Sequence, residues 1–423
     1  MTRVIAVALL AAAVAAAPDA QRGRNIYLHG SGTAPIKAVV NADEANPIPG
    51  TVVPCVNCHG YDGRGKKEGG IAPADLRWST LTKAYATGPR THGPYTKATL
   101  RRAFTMGFDP AGNALDAAMP RYQMSMRDAD DLVAYLRTLG TTSDPGLTAK
   151  SMRIGVLLSP DREKAAAVRD VMEAYAAALP EIYGRRIELR FLELPADPAA
   201  RAAAVQSFLA REQPFALAAS SFLGAEEAIE QVVEDSGTPA LAAFAASVSP
   251  DAHYTFALFG DVAEAVRRHD AHANLFDGAR DQLAAFLQKT TGRVYVPAAL
   301  ASEAIFEAPP SVDVVVATAA SSDDVAPEAL AELKALSPRG GASRGTQAAA
   351  LATAKVLIEA LRRAGRDVTR ESLISEIESL YRFRTGLAPP LSFGPTQHAG
   401  TRGAFLLRVD REAKTLRQPE WVE

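Results

Sequence analysis
Two cysteines and a histidine carry the clearest chemistry in the chain. They stand together as Cys55-Val56-Asn57-Cys58-His59, and the sequence holds no other cysteine. In a C-x-x-C-H segment each thiol can add to one vinyl group of a haem, and the imidazole that follows can then bind the iron. Two intervening residues are the spacing that lets both sulfurs meet the two vinyls. A thioredoxin-type redox couple needs an early strand–helix–strand context, whereas the flanking sequence here is Gly/Pro-rich loop. Zinc would lack enough ligands nearby. Two cysteines also exclude a disulfide-stapled scaffold and a four-cysteine metal site within one chain.

A haem used for electron transfer needs a second axial ligand, and a thioether raises its potential. The downstream candidates are Met106, Met119, Met124 and Met126. Met119 lies in Ala118-Met119-Pro120-Arg121-Tyr122, 60 residues after His59 and behind the turn-prone Asp109-Pro110-Ala111-Gly112-Asn113. Pro120 keeps it out of a regular helix, so it sits on a loop with enough chain to wrap a haem edge. Met106 belongs to the helical pattern of residues 97–106 and is expected to pack against haem or core. Met124 and Met126 stand at the start of the next helix, as packing or surface residues. His92, in a Gly/Pro loop, is an alternative ligand whose simpler place is in solvent.

These residues need a scaffold. A length of 423 residues suggests two or three domains. Hydrophobic residues at 48% and charged residues at 22% are ordinary for globular protein. Lys+Arg is 46 against Asp+Glu 48, a net charge of −2, so no basic excess points to nucleic acid. Met1-Thr2-Arg3 is short and basic, an apolar run follows over residues 4–17, and then comes Pro18-Asp19-Ala20. This is the pattern of a secretory signal peptide over residues 1–17, which predicts export to the periplasm. No later stretch reaches the roughly 18 apolar residues of a span, so no stable membrane span is expected after cleavage.

Residues 21–140 resemble a class I cytochrome c domain. The carriers are Cys55-Val56-Asn57-Cys58-His59-Gly60-Tyr61-Asp62-Gly63-Arg64-Gly65, Pro73, and Met119-Pro120-Arg121-Tyr122. The resemblance implies an all-α domain with one covalent haem c on Cys55 and Cys58. It implies His59 and Met119 as axial ligands of the iron, and the Pro73 carbonyl as acceptor for the His59 ring N–H. It also implies a close crossing of the first helix, at Gly23 and Tyr27, with a final helix over 128–139. That final helix carries Leu132, Tyr135, Leu136 and Leu139 on one face. Residues 30–54 are longer than a minimal cytochrome needs and have no assigned role.

Residues 141–152 read as a linker with turn chemistry. From 153 onward the periodicity changes. Strands are expected at 153–158, 187–194, 215–219, 241–244, 254–259, 294–297, 312–317 and 403–409. Helices are expected at 162–179, 199–211, 225–233, 277–289, 347–364 and 370–381. Such alternation means a mainly parallel sheet with helices on both faces. Residues 153–423 resemble a type I periplasmic binding protein of the branched-chain amino acid (leucine-binding) class. The carriers are the first strand, Ala219-Ser220-Ser221, residues 360–370 and residues 385–394. The resemblance implies a two-lobed α/β domain whose loop hydroxyls, Ser220 and Ser221, contact a small-molecule ligand. Helix capping or turn chemistry is the alternative role of these serines. The loop 242–246 lacks the threonine that helps hold an amino acid in that family, so a small organic acid, a more apolar ligand or none stays open. His269-x-x-His272, with His253 and His398 elsewhere, lacks a third ligand for a metal.

The expectation is a multidomain protein, an electron carrier and not an enzyme, because a six-coordinate iron leaves no position for substrate. Its partner would be a redox protein such as a periplasmic dehydrogenase. The alternative is a solute-binding or sensory protein that the haem modulates.

Overall fold
The chain's first described helix starts at a cap. The Asp19 carboxylate accepts from the backbone N–H groups of Gln21 and Arg22, and Gly30 ends the helix in the left-handed region. The structure is a computed structural model and describes residues 17–41, 43–65, 72–87, 90–140, 144–320, 325–337 and 344–423. Apart from Ala17, the signal-peptide expectation lies outside these residues. Among the described residues no helix is long and apolar enough to cross a membrane. The chain divides into two compact units, residues 1–143 and 144–423.

In the first unit the helices are α1 (Ala20–His29), α2 (Val56–His59), α3 (Trp78–Leu81), α4 (Lys97–Met106) and α5 (Met126–Leu136). The strands are β1 (Lys37–Val39), β2 (Ile48–Pro49), β3 (Tyr85–Thr87), β4 (Arg90–His92) and β5 (Arg121–Gln123). The frame is the crossing of α1 and α5. A Cβ on Gly23 would stand 1.9 Å from the Asp131 carbonyl oxygen, so only glycine lets the backbones meet there. The Tyr27 and Tyr135 rings pack 5.2 Å apart beside it. Buried Asp131 accepts from the Asp19 amide at 2.7 Å and from Arg22 Nε at 2.7 Å, which holds the start of α1 to α5. Leu132, Val133 and Leu136 of α5 are buried in one cluster with Ile26, Leu100 and Phe104, each contributing about 1.5–3 kcal/mol.

The all-α expectation is corrected. Among the described residues β2, β1 and β5 form an antiparallel sheet, and β3 pairs with β4. Strands of two or three residues leave no periodicity to read. Residues 30–54 supply two of the three strands in that sheet.

The second unit begins earlier than the sequence suggests. The linker expectation over 141–152 is corrected for residues 144–152. Asp144 accepts the Arg370 amide at 2.7 Å, and Gly146 O accepts from Arg153 N at 2.8 Å. The elements that follow are β6 (Ser151–Leu158), α6 (Arg162–Ala178), β7 (Arg186–Glu193), α7 (Arg201–Glu212), β8 (Ala216–Ser221), α8 (Glu226–Ser236), β9 (Ala240–Phe244) and β10 (Thr255–Ala257). Next come α9 (Val262–His269), α10 (Leu283–Lys289), β11 (Gly292–Pro297), β12 (Val312–Thr318), α11 (Pro327–Leu336), α12 (Arg344–Ala364), α13 (Arg370–Glu378), β13 (Ala404–Asp410) and β14 (Thr415–Val422).

Two sheets make two lobes. Among the described residues the first sheet is wholly parallel, in the order β10-β9-β8-β6-β7. β6 and β8 are buried nearly end to end, as strands covered on both faces must be. Helix α12 returns to this lobe, packing on α6, β8 and β9, and all but a few of its residues from Gln347 to Leu361 are buried. The second sheet runs β11-β12-β13-β14, with β11 and β12 parallel and the last two strands antiparallel. Helix α9 covers one of its faces through Val266, against Tyr295, Val315 and Leu406. The helix expected over 277–289 is shorter, beginning as a 3-10 turn at Arg280 and becoming α10 at Leu283.

Candidate functional site
One helical turn assembles the C-x-x-C-H group. Cys55 is the N-cap of α2, and its carbonyl accepts from the amides of Cys58 (3.3 Å) and His59 (3.0 Å). Residues three apart lie on one helix side, so the turn brings the two thiols to the same side with the imidazole next to them. Tyr27 Oη donates to Gly60 O at 2.7 Å and ties this turn to α1. Both cysteines are free thiols, Cys55 half-buried and Cys58 exposed. Burial pushes the Cys55 thiol up to about 12, against a smaller opposing pull from the Tyr122 hydroxyl.

His59 is buried, and burial pulls its imidazole below the ordinary range, against the pull of its hydrogen bond to Ala74. Nδ1 lies 2.9 Å from Ala74 O. A carbonyl only accepts, so Nδ1 carries the proton and Nε2 presents a lone pair, the form a metal-binding histidine needs. The acceptor is thus the Ala74 carbonyl, and the expectation for Pro73 is corrected. Pro73 O faces Gly65 instead, where a Cβ would stand 2.5 Å from it. Gly65 N donates to His59 O at 2.9 Å, so Pro73 and Gly65 clamp the histidine from its backbone side.

Met119 is half-buried and packs on the cluster that also holds Cys55, Tyr61 and Trp78. It lies on a loop, with its amide on Asp116 O at 3.1 Å. Met124 packs on the same cluster. Met126 is 65% exposed, and Met106 is 62% exposed, which corrects its expected packing on the core. It falls at the last position of α4, off the face that buries Leu100, Ala103 and Phe104. His92 is not free in solvent: its ring stacks on Tyr85 at 5.2 Å and meets Tyr95 edge-on at 5.0 Å.

The turn-prone run 109–113 is built around one buried carboxylate, a role the sequence reading of that run did not assign. Buried Asp109 accepts from Ala111 N, Asn113 N, Asn113 Nδ2 and Arg90 Nε. Burial alone would raise its carboxyl, yet these bonds outweigh that and hold it at about 2. An Asp-Pro at a turn was the available signal. Tyr122, also buried, donates to Val53 O at 2.6 Å.

The donor set fits a covalent haem: a neutral, oriented imidazole, two adjacent thiols and a thioether, with Cys55 and Met119 packed on one apolar cluster. Residues 52–140 match the family model of cytochrome c. The attachment turn, the Ala74 contact and the Met119 loop of this cytochrome domain all fall inside that match. No match was found among curated proteins.

The rest of the chain has the two-lobed type I periplasmic binding protein fold. It is similar to a possible leucine/isoleucine/valine-binding protein from Rhodopirellula baltica SH 1, at 13% identity over 66% of this chain and 98% of that one, with a TM-score of 0.51. It is similar also to a fatty acid ABC transporter substrate-binding protein from Thermomonospora curvata, at 14% identity over 66% of this chain and 95% of that one, with a TM-score of 0.51. At such identity the likeness is one of fold.

In that fold the two serines sit differently from the ligand-contacting role expected of them. Ser220 is fully buried at a bulge in β8, beside Ala219 at φ 50°. Its Oγ accepts Leu157 N at 3.1 Å and donates to Ala218 O at 3.2 Å, repairing the ladder that the bulge interrupts. Ser221 is buried too, at 3% exposure. Two of the histidines away from the cytochrome domain also have structural places. Buried His398 stacks on Phe256 and binds Thr255 O, and His253 pairs with Glu371. Among the described residues no group of three or more His, Cys, Asp or Glu could hold a metal ion.

Proposed function
We propose that this protein is an exported c-type cytochrome that carries single electrons between periplasmic redox proteins. The observation that carries the reading is buried His59, its Nδ1 2.9 Å from Ala74 O, on the same helical turn as Cys55 and Cys58, inside the cytochrome c match. A bound haem c would supply one-electron exchange between ferric and ferrous iron. Cys55 and Cys58 would hold it by thioether bonds. His59 would be the first axial ligand, kept in one tautomer by Ala74, which strengthens its donation. Met119 would be the second, a soft ligand that favours the ferrous state. The apolar cluster around it excludes water. With His59 and Met119 both holding the iron, no position would remain for a substrate, so the protein would act as a carrier and not an enzyme. A periplasmic dehydrogenase suits the role of redox partner, and the C-terminal domain would dock that partner or a small ligand.

Mass spectrometry of protein exported from a host with haem-maturation machinery tests this. A haem-sized increment that survives denaturation is expected, and a bare polypeptide mass would overturn the reading. The second reading, a solute sensor modulated by haem, draws on the fold shared with proteins described as binding branched-chain amino acids or fatty acids. The two separate in a redox titration. A carrier's midpoint potential ignores added small acids, whereas a sensor's shifts by the ligand's differential affinity for the two redox states.

A further inference from the structure
We propose that Arg121, backed by the β1–β2 strands of residues 30–54, positions Met119 and so decides which methionine faces the haem. The proposal rests on the haem reading above and asks what holds the second ligand. Methionine has three rotatable side-chain bonds and adapts readily, so its own packing specifies its aim poorly. The backbone must supply the precision. Within residues 107–120 the antiparallel pairing of Phe108 with Ala114 orders only the first half of the loop, and the carbonyls of Leu115, Asp116 and Met119 lie beyond it.

Arg121 fills that gap. Its guanidinium donates to the carbonyl of Met119 itself, to Leu115 O at 3.0 Å and to Asp116 O at 3.1 Å. The fork is rigid and planar, so three carbonyls bound at once fix the loop's curvature. Gly107, at φ 78°, gives the guanidinium its seat: a Cβ there would stand 1.8 Å from Arg121 Nε.

The arginine is itself anchored. It opens β5, whose residues pair with β1 as Val39↔Arg121, Ala38↔Tyr122 and Lys37↔Gln123, and β1 pairs on its other edge with β2. Tyr122 Oη reaches Val53 O at 2.6 Å, two residues before Cys55. One short strand therefore ties the methionine loop to the cysteine segment. Competition is close at hand, since Met124 is half-buried on the same apolar cluster. Residues 30–54 thereby acquire a role as the outer support of this brace.

The test uses the full-length holoprotein. Arg121→Gln, Arg121→Lys, Tyr122→Phe and Met124→Leu are compared with the unaltered chain. Each is checked for covalent haem by denaturing mass spectrometry and for fold by circular dichroism. The readout is the near-infrared charge-transfer band of a thioether on ferric iron and the pH at which that band disappears. Arg121→Gln is expected to favour loss of the thioether by about tenfold, the size of one charge-assisted hydrogen bond. Arg121→Lys, which keeps the charge but not the fork, should fall between. Tyr122→Phe should give about threefold, the size of a neutral hydrogen bond. Met124→Leu should leave the band intact, and combined with Arg121→Gln it should remove any residual thioether signal from a swapped ligand. Folded variants at Arg121 and Tyr122 that keep the wild-type band and pH midpoint overturn the proposal. Should Arg121→Gln fail to fold, Arg121→Lys and Tyr122→Phe decide by the same readout. Absence of covalent haem in the unaltered chain instead overturns the haem reading beneath it.

Discussion

Both units commit an arginine to backbone carbonyls, to different ends. In the cytochrome domain Arg121 gathers three carbonyls of one irregular loop beside a candidate ligand. In the second unit Arg370, at 9% exposure, donates to Pro214 O (2.6 Å), Gly237 O (2.8 Å) and Phe215 O (3.1 Å). These carbonyls lie before β8 and after α8, so the bond set joins the start of α13 to the base of the parallel sheet. One arginine shapes the surroundings of a single sulfur; the other fastens a frame. Regular ladders satisfy most backbone groups in the frame, and an ionic side chain is needed only where elements end. In the ligand loop the one backbone pairing, Phe108 with Ala114, stops short of Met119, so a side chain takes over that task there.

The comparison yields tests of decreasing effect. Replacing both cysteines, Cys55→Ser with Cys58→Ser, should abolish covalent haem altogether and leave the second unit folded, read by denaturing mass and by circular dichroism. Arg370→Ala should cost about 4 kcal/mol, since three buried carbonyls lose a charged donor at once. Denaturant unfolding should show the second unit's transition moving while the haem absorbance transition stays; if both move together, the two units are not separate frames.

Asp109 provides a pH test confined to the first unit. Its carboxyl is held at about 2 in the fold, against an ordinary 3.8. The unfolded chain therefore takes up the proton first as pH falls. The stabilisation is complete above about pH 4, is lost progressively towards pH 2, and amounts to about 2 kcal/mol. Asp109→Asn should be less stable than wild type at neutral pH, with the gap closing over that interval in acid-unfolding curves. A constant gap would mean that the carboxylate's charge is irrelevant to the loop. The smallest effect belongs to Ser220→Ala. It leaves the Leu157 N–H unpaired, costing about 1–2 kcal/mol, and should leave any small-ligand affinity of the second unit unchanged in calorimetry. A lost affinity with intact stability would return Ser220 to the ligand.

Much of the frame was legible in the sequence. Long periodic segments such as α4, α6 and α12 lie within a few residues of where the apolar spacing puts them, because burial on one face leaves a trace at every turn. Gly23 and Tyr27 signalled the α1–α5 crossing through the resemblance to class I cytochromes c. The short pieces were silent. β1, β2 and β5 have three residues or fewer, and β5 joins the sheet by pairing with β1, Val39 opposite Arg121, far outside any local window. Helix α11 and strand β14 went unread as well, the latter a polar edge strand bearing Pro419.

At the site the division is the same. The C-x-x-C-H chemistry belongs to the sequence, since covalent spacing and helical rise alone bring Cys55, Cys58 and His59 together. The candidate methionines and the presence of a loop around Met119 were also set by residue order and by Pro120. Only the tertiary structure decided that Ala74 and not Pro73 accepts the hydrogen bond from His59 Nδ1, that Ser220 closes a bulge inside β8, and that Arg121 bridges a loop to a distant strand. Each of these depends on which carbonyl faces a given donor. Residue type fixes what a side chain can donate or accept; which carbonyl it meets is settled by chain segments far apart in sequence packing to a few tenths of an ångström.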